Sequence, residues 1–220
     1  MASDGPPDIS TAQAARWLTD ARFAPYLAEA DDNHDLALEL YVWNARISSA
    51  LFETLHHVEV LLRNAIDAQF VPADAGAAPR DTWLEDTAIL TLESLQRIAE
   101  TIRRIRRDGR RLTRGHVVAG LSFGFWRALF DKRYDRLWVS HLHRAFPHGS
   151  GDRAQIATTM SALVPFHNRI AHHETIILRP IQVHYNELLT LASWIDPAAA
   201  EWIVGAARVE TVLSARPGSA

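Results

Sequence analysis

The chain has 220 residues, 48% hydrophobic and 22% charged, which is enough for the core of one ordinary globular domain. It contains no cysteine, and this excludes a disulfide scaffold, a thiolate nucleophile and a sulfur-ligated zinc site. The net charge of −3 exerts no overall pull on polyanions, and the apolar runs are too short and broken for a signal peptide or a membrane span, so a reducing, cytoplasmic setting is expected.

Residues 1–10 and 214–220 read as flexible termini around a single helical domain over 11–213. From Leu36 to Phe70 the apolar residues Leu36, Leu40, Trp43, Ile47, Leu51, Val58, Leu61, Leu62 and Ala65 recur at steps of three and four, with no Gly or Pro between them. This spacing predicts one long amphipathic helix, about 50 Å at about 1.5 Å per residue. Pro72, Gly76 and Pro79 turn the next stretch into a loop. A second helix is expected behind an Asp81 cap, with Leu84, Ala88, Leu92, Leu95, Ile98, Ile102 and Ile105 on one face and Gly109 as its stop. Val117 to about Arg127 predicts a shorter helix, followed by an aromatic-rich stretch, Tyr134 to Phe146, that ends before Pro147 and Gly149. Asp152 then caps a helix with the stripe Ile156, Met160, Leu163, Val164 and Ile170, in which Pro165 predicts a kink. After an extended piece at Ile176–Pro180 come helices at Val183–Trp194 and Pro197–Val212, the second with Asp196 as cap and Pro197 in its first turn. No run alternates with a period of two, so the fold class is all-α, with additional helices C-terminal to the histidine-rich segment.

Charge is unevenly placed. Eight arginines lie between Arg97 and Arg114 against only Glu100 and Asp108, and Lys132 is the one lysine of the chain. Guanidinium is the better fork for phosphate, so Arg103, Arg104 and Arg107 are candidates for RNA contact; a solvated helix end is the plain alternative. Phe125, Trp126, Tyr134 and Trp138 fall at helical spacings and read as core.

The segment Phe166 to Glu174 crowds three histidines, Asn168, Arg169 and Glu174 together. On a helix Asn168 and His172 share a face, Arg169 and His173 share another, and Arg169 also neighbours His172. His167 falls in the apolar stripe and reads as a core or interface histidine, while His172 and His173 could also be a solvated helix end. A metal reading of His167, His172 and Glu174 lacks the HExxH spacing, so no metal or other cofactor is implied. Glu59, Arg63 and Asp67 stand at four-residue steps opposite the long helix's apolar stripe, which predicts an exposed ion-pair ladder unless they serve the site.

Three blocks, HHVEVLLRNAID (56–67), LSFGFWRALFDKRYDRLW (121–138) and NRIAHHE (168–174), together resemble the Abi-like (abortive-infection) family of bacterial proteins in the HEPN superfamily. The similarity covers Leu36 to Trp194. It implies a HEPN-type helical bundle, a homodimer, and metal-independent endoribonuclease activity in abortive infection or toxin–antitoxin defence, with a possible antitoxin partner. The family motif is an Arg, a polar residue beside it and a His four to six positions on. Carried across, His172 is the histidine and Asn168 the polar residue, but His167 occupies the Arg position. The cation must then come from Arg169, protonated His167, or Arg63 beside Asn64. Glu59, His173 and Glu174 are candidates for supporting those groups from behind or for RNA contact.

The chemistry needs no metal when the 2′-hydroxyl next to the scissile phosphate is the nucleophile. Imidazole exchanges protons near neutral pH, and a guanidinium can hold the developing phosphorane charge. Two motifs facing each other across a two-fold axis would supply both a base and an acid. The alternatives are a catalytically weak or inactive HEPN module that binds RNA, a nucleotide or a partner protein, and a helical interaction protein whose polar cluster is a buried hydrogen-bonded network.

Overall fold

The structure, a computed structural model, describes residues 11–70 and 83–218, and among them it holds ten α-helices, three 3-10 turns and no strand. The all-α expectation holds. α1 (Thr11–Glu29) has no counterpart among the predicted elements. It turns at Thr19 (φ 40°, ψ 149°) and contains Pro25, so no single apolar stripe runs along it, yet Phe23 and Tyr26 are buried. α2 (His34–Ala68) is the predicted long helix, started two residues early by Asn33, whose side chain accepts from the N–H groups of Asp35 and Leu36 at 3.1 and 3.2 Å.

The second predicted helix is shorter than its pattern. Asp81 lies outside the described residues, Trp83–Glu85 is a 3-10 turn, and α3 (Leu92–Arg107) begins only at a Thr91 cap, whose hydroxyl accepts from the Ser94 N–H at 3.3 Å. Leu84 and Ala88 therefore precede the helix. Tyr134 explains the start: its hydroxyl lies 2.8 Å from Ser94 Oγ and 3.1 Å from Thr91 Oγ1, a buried polar triangle that pins the first turn of α3. Gly109 closes α3 as predicted, at φ +67°, with the Arg110 N–H reaching back to the Ile105 carbonyl.

The predicted Val117–Arg127 helix is two helices, α4 (Arg114–Gly120) and α5 (Phe123–Ala128). Leu121 is extended (ψ 141°), and the Ser122 hydroxyl caps α5 by accepting from the Phe125 N–H at 3.2 Å. Gly120 allows α4 to press against α3. A Cβ there would lie 2.8 Å from Thr101 Cγ2 and 3.3 Å from Arg104 Nη2. Gly120→Ala is expected to cost about 1–3 kcal/mol through overpacking and to lower Tm by several degrees. An unchanged Tm in a thermal melt would show that the two helices can part freely.

The aromatic-rich stretch is α6 (Asp135–Ser140) between 3-10 turns at Lys132–Tyr134 and Leu142–Ala145, not one helix. Phe125, Trp126, Tyr134 and Trp138 are buried, as expected of core residues. α7 (Arg153–Ala171) has the predicted Asp152 cap and runs unbroken through Pro165, which sits on the exposed side. α8 (Ile181–Ile195) follows. The predicted last helix is divided into α9 (Pro197–Ala206), capped by Asp196, and α10 (Val209–Ser214), because Ala207 is extended (ψ 145°).

α1, α4, α7, α8 and α10 all pack on α2, so its stripe from Leu40 to Ile66 is the axis of one continuous apolar core. Trp43 Nε1 donates to the Val212 carbonyl at 2.7 Å, and the Arg216 guanidinium lies 5.4 Å over the Trp43 ring, so the chain's end is fastened to the axis. Residues 1–10 lie outside the described residues. No helix among the described residues is long and apolar enough to cross a membrane.

Candidate functional site

α7 ends in a reversed turn that is built from histidine. His172 is the last partly helical residue, and His173 takes a left-handed conformation (φ 56°) at the place where glycine usually stands. The His173 N–H donates to the Ile170 carbonyl at 3.1 Å and the Glu174 N–H to the Arg169 carbonyl at 2.8 Å, the paired bonds that close a helix in this way. Arg22 of α1 donates to the His173 carbonyl and holds the turn from outside. Beyond it the chain dives into the core. The buried Asn44 side chain of α2 accepts from the Ile176 N–H at 2.9 Å, and Ile176 and Ile177 are buried.

This turn leaves the His172 imidazole exposed, with no side-chain partner among the described residues, one helical turn beyond the exposed Asn168. Arg169 does not pair with His173. Its Nη1 lies 3.0 Å from Glu174 Oε2, so this guanidinium is partly neutralised by the side chain that the turn folds back onto it.

His167 belongs to a different group. It is half-buried, stacked on Phe123 of α5 with ring centroids 5.3 Å apart, its Nε2 3.6 Å from Glu59 Oε2 and its Nδ1 3.3 Å from Asn168 Oδ1. The Glu59 carboxylate raises its pKa above the ordinary 6.5, against the opposing effect of burial, and Asn168 adds to the rise. The Glu59 carboxylate thus favours the protonated form of the His167 ring. A raised native pKa stabilises the fold fully below about 6.5, and this contribution is lost as pH climbs through the native value. The denaturant midpoint is therefore expected to fall over that window, and Glu59→Gln to flatten the fall. An identical pH profile for Glu59→Gln would remove Glu59 as the cause.

The predicted ladder on α2 does not form. Glu59 turns to His167, and Asp67 takes Arg114 Nε and Nη2 at 2.9 and 2.7 Å and Trp83 Nε1 at 2.9 Å. Arg63, between them, has no carboxylate partner among the described residues: Nη1 reaches the Ala119 carbonyl at 3.4 Å, and its Nε is buried without a hydrogen-bond partner. The face opposite the apolar stripe is covered by α4 and α7, so its charges pair outward to those helices instead of along their own. Asn64 is exposed and separate from this group, in a shallow groove against Trp202 and Ile203 of α9.

Arg103, Arg104 and Arg107 line a third place, an open groove of about 540 Å³ between α3 and the α4–α5 turn. Among the described residues His167, His172 and Glu174 form no group able to hold a metal. Sequence reasoning missed Phe123 under His167 and Arg22 behind His173. Neither partner has a local signal, since each contact joins residues far apart in the chain. Comparison with family models, with curated proteins and with solved structures finds no match to this chain.

Proposed function

We propose that the chain is a HEPN-type helical protein that binds RNA and cleaves it without metal, with His172 as the proton-transferring group. The supporting observation is the His172 imidazole, exposed and without a side-chain partner among the described residues, at a turn braced from both sides, one turn from Asn168, whose side chain lies 3.3 Å from the His167 ring. A group meant for packing would be satisfied within the fold; this one is presented outward on a rigid support. The resemblance carries the setting, abortive infection or toxin–antitoxin defence.

In the reaction, neutral His172 takes the 2′-hydroxyl proton and the resulting oxygen attacks phosphorus. The P–O5′ bond breaks, leaving a 2′,3′-cyclic phosphate, and the departing oxygen takes a proton from an imidazolium. In a two-fold dimer the equivalent imidazole of the second copy supplies that proton. Asn168 orients the ribose, and Arg169 holds the phosphate once RNA draws it from Glu174.

One observation favours a second reading, a module that binds RNA but cuts it poorly: two basic groups of the segment already face carboxylates, Arg169 at Glu174 and His167 at Glu59. Purified protein incubated with total RNA and EDTA at pH 5 to 8 decides between them. Fragments ending in cyclic phosphate are the expected result, and binding without fragments at every pH establishes the module instead.

A further inference from the structure

The arginine-rich end of α3 is sorted by direction. Arg97, Arg103, Arg104 and Arg107 line the groove against Gly120, Leu121 and Ser122, with Glu100 as the one carboxylate on its wall among the described residues. Arg106 and Arg110 are exposed elsewhere. The helix dipole favours cations in the last turn on any face, so it accounts for the number of arginines but not for their gathering on one concave wall. Three of the four remain largely uncompensated. Arg103 donates to the carbonyl of Ala99 on its own helix, Arg104 is held against the wall by the Gly120 carbonyl at 2.5 Å, and Arg107 has, among the described residues, only its exposed neighbour Asp108 at 3.8 Å; Arg97 is paired with Glu93. A cleft lined mainly by one sign of charge focuses its field, here positive in a chain whose net charge is −3.

Shape narrows the ligand. From Arg97 to Arg107 the wall runs about 15 Å at about 1.5 Å per residue, a row suited to successive phosphates of a chain and not to one compact anion. Phe125, the aromatic ring of the lining, is 1% exposed, so no base can stack on it and recognition would be through the backbone. The groove also adjoins the His167 group through one short turn: Arg63 reaches the Ala119 carbonyl, Arg104 the Gly120 carbonyl, and His167 stacks on Phe123.

We infer that the groove between α3 and the α4–α5 turn binds the sugar–phosphate backbone of single-stranded RNA, without regard to sequence. The inference rests on the RNA-binding part of the proposed function and adds where on the protein the strand is held.

The test uses the full chain and a fluorescein-labelled, mixed-sequence 20-nucleotide RNA, followed by anisotropy over a range of KCl. Arg103→Gln with Arg107→Gln removes two exposed groove cations and spares Arg104, which braces the wall. Arg106→Gln with Arg110→Gln removes the same charge from the same end of α3, outside the groove. The groove pair is expected to weaken binding about tenfold at low salt and to flatten the slope of log K against log salt by about 1.4, at about 0.7 per lost single-strand phosphate contact, with the outer pair changing little. Equal losses in both pairs, no loss in the groove pair, or no binding by the unaltered protein at 50 mM KCl would each overturn it. Cleavage is scored separately. RNA bound through the groove but never cut leaves this inference standing and removes the nuclease, whereas RNA cut normally by a groove variant of unchanged affinity does the reverse.

Discussion

His172→Ala is expected to lower RNA cleavage by about 10²–10⁴-fold, the worth of one general acid–base group, while leaving the melting temperature essentially unchanged. The second half follows from placement: the imidazole is exposed and makes no side-chain contact among the described residues, and substitutions at such positions usually stay within about 0.5 kcal/mol. His172 is also the residue at which α7 ends, but its helix-closing bonds are made by backbone atoms that alanine keeps. The two readouts separate the rivals. A large drop in Tm would mean that His172 is a packing residue and that the polar segment is structural; equal cleavage by both proteins would remove this histidine from the reaction. His167→Ala makes the useful contrast, since it removes the Phe123 stack and leaves Glu59 facing an empty space, so it should lose stability as well as activity.

Asp67→Ala should destabilise the fold by about 3 kcal/mol, or roughly 6–10 °C in Tm, well beyond the loss of an exposed carboxylate such as Glu93. Asp67 and Arg114 are 19% and 22% exposed, and Arg114 Nε and Nη2 both donate to Asp67 Oδ1, with Trp83 Nε1 donating to the same oxygen and Arg114 Nη2 also to the Asp67 carbonyl. Removing the carboxylate strands a guanidinium and an indole N–H in poor solvent. The helix dipole offsets a few tenths of a kcal/mol, because an acid in the last turn of α2 is unfavourably placed without its partner. Asp67→Asn keeps an acceptor for Trp83 and should lose about half as much. A denaturation curve for Asp67→Ala within 0.5 kcal/mol of the parent would show the cluster to be an ordinary surface pair.

The long helix was legible because its signal is local and repeated: eight turns of apolar residues at steps of three and four leave little choice, and Gly109, Asp152 and Asp196 mark boundaries by their own backbone preferences. Splits within shorter helices were not legible. Leu121 and Ala207 are ordinary helix formers, and each is extended because the following segment must turn to bury its apolar side, a demand set by the neighbouring helices. α1 escaped notice for a related reason, since its two halves meet at Thr19 and each is too short to show a period.

At the candidate site the composition was legible and the pairing was not. Periodicity along α7 places Asn168 one turn before His172, but it also suggests Arg169 with His173, as that along α2 suggests Glu59 with Arg63, and the fold makes neither pair. Helical spacing says which residues could meet if nothing else approached. α4 and α7 do approach α2, bringing Arg114 to Asp67 and His167 to Glu59, and a charge at a closing interface takes the partner that shares its desolvated space. What residue order alone settles in this protein is therefore helical content, the axis, and the presence of a histidine-rich helix end. Which histidine packs against a carboxylate, which stands open, and which arginines face one groove depend on helices distant in the chain, because burial and long-range pairing have no period to read.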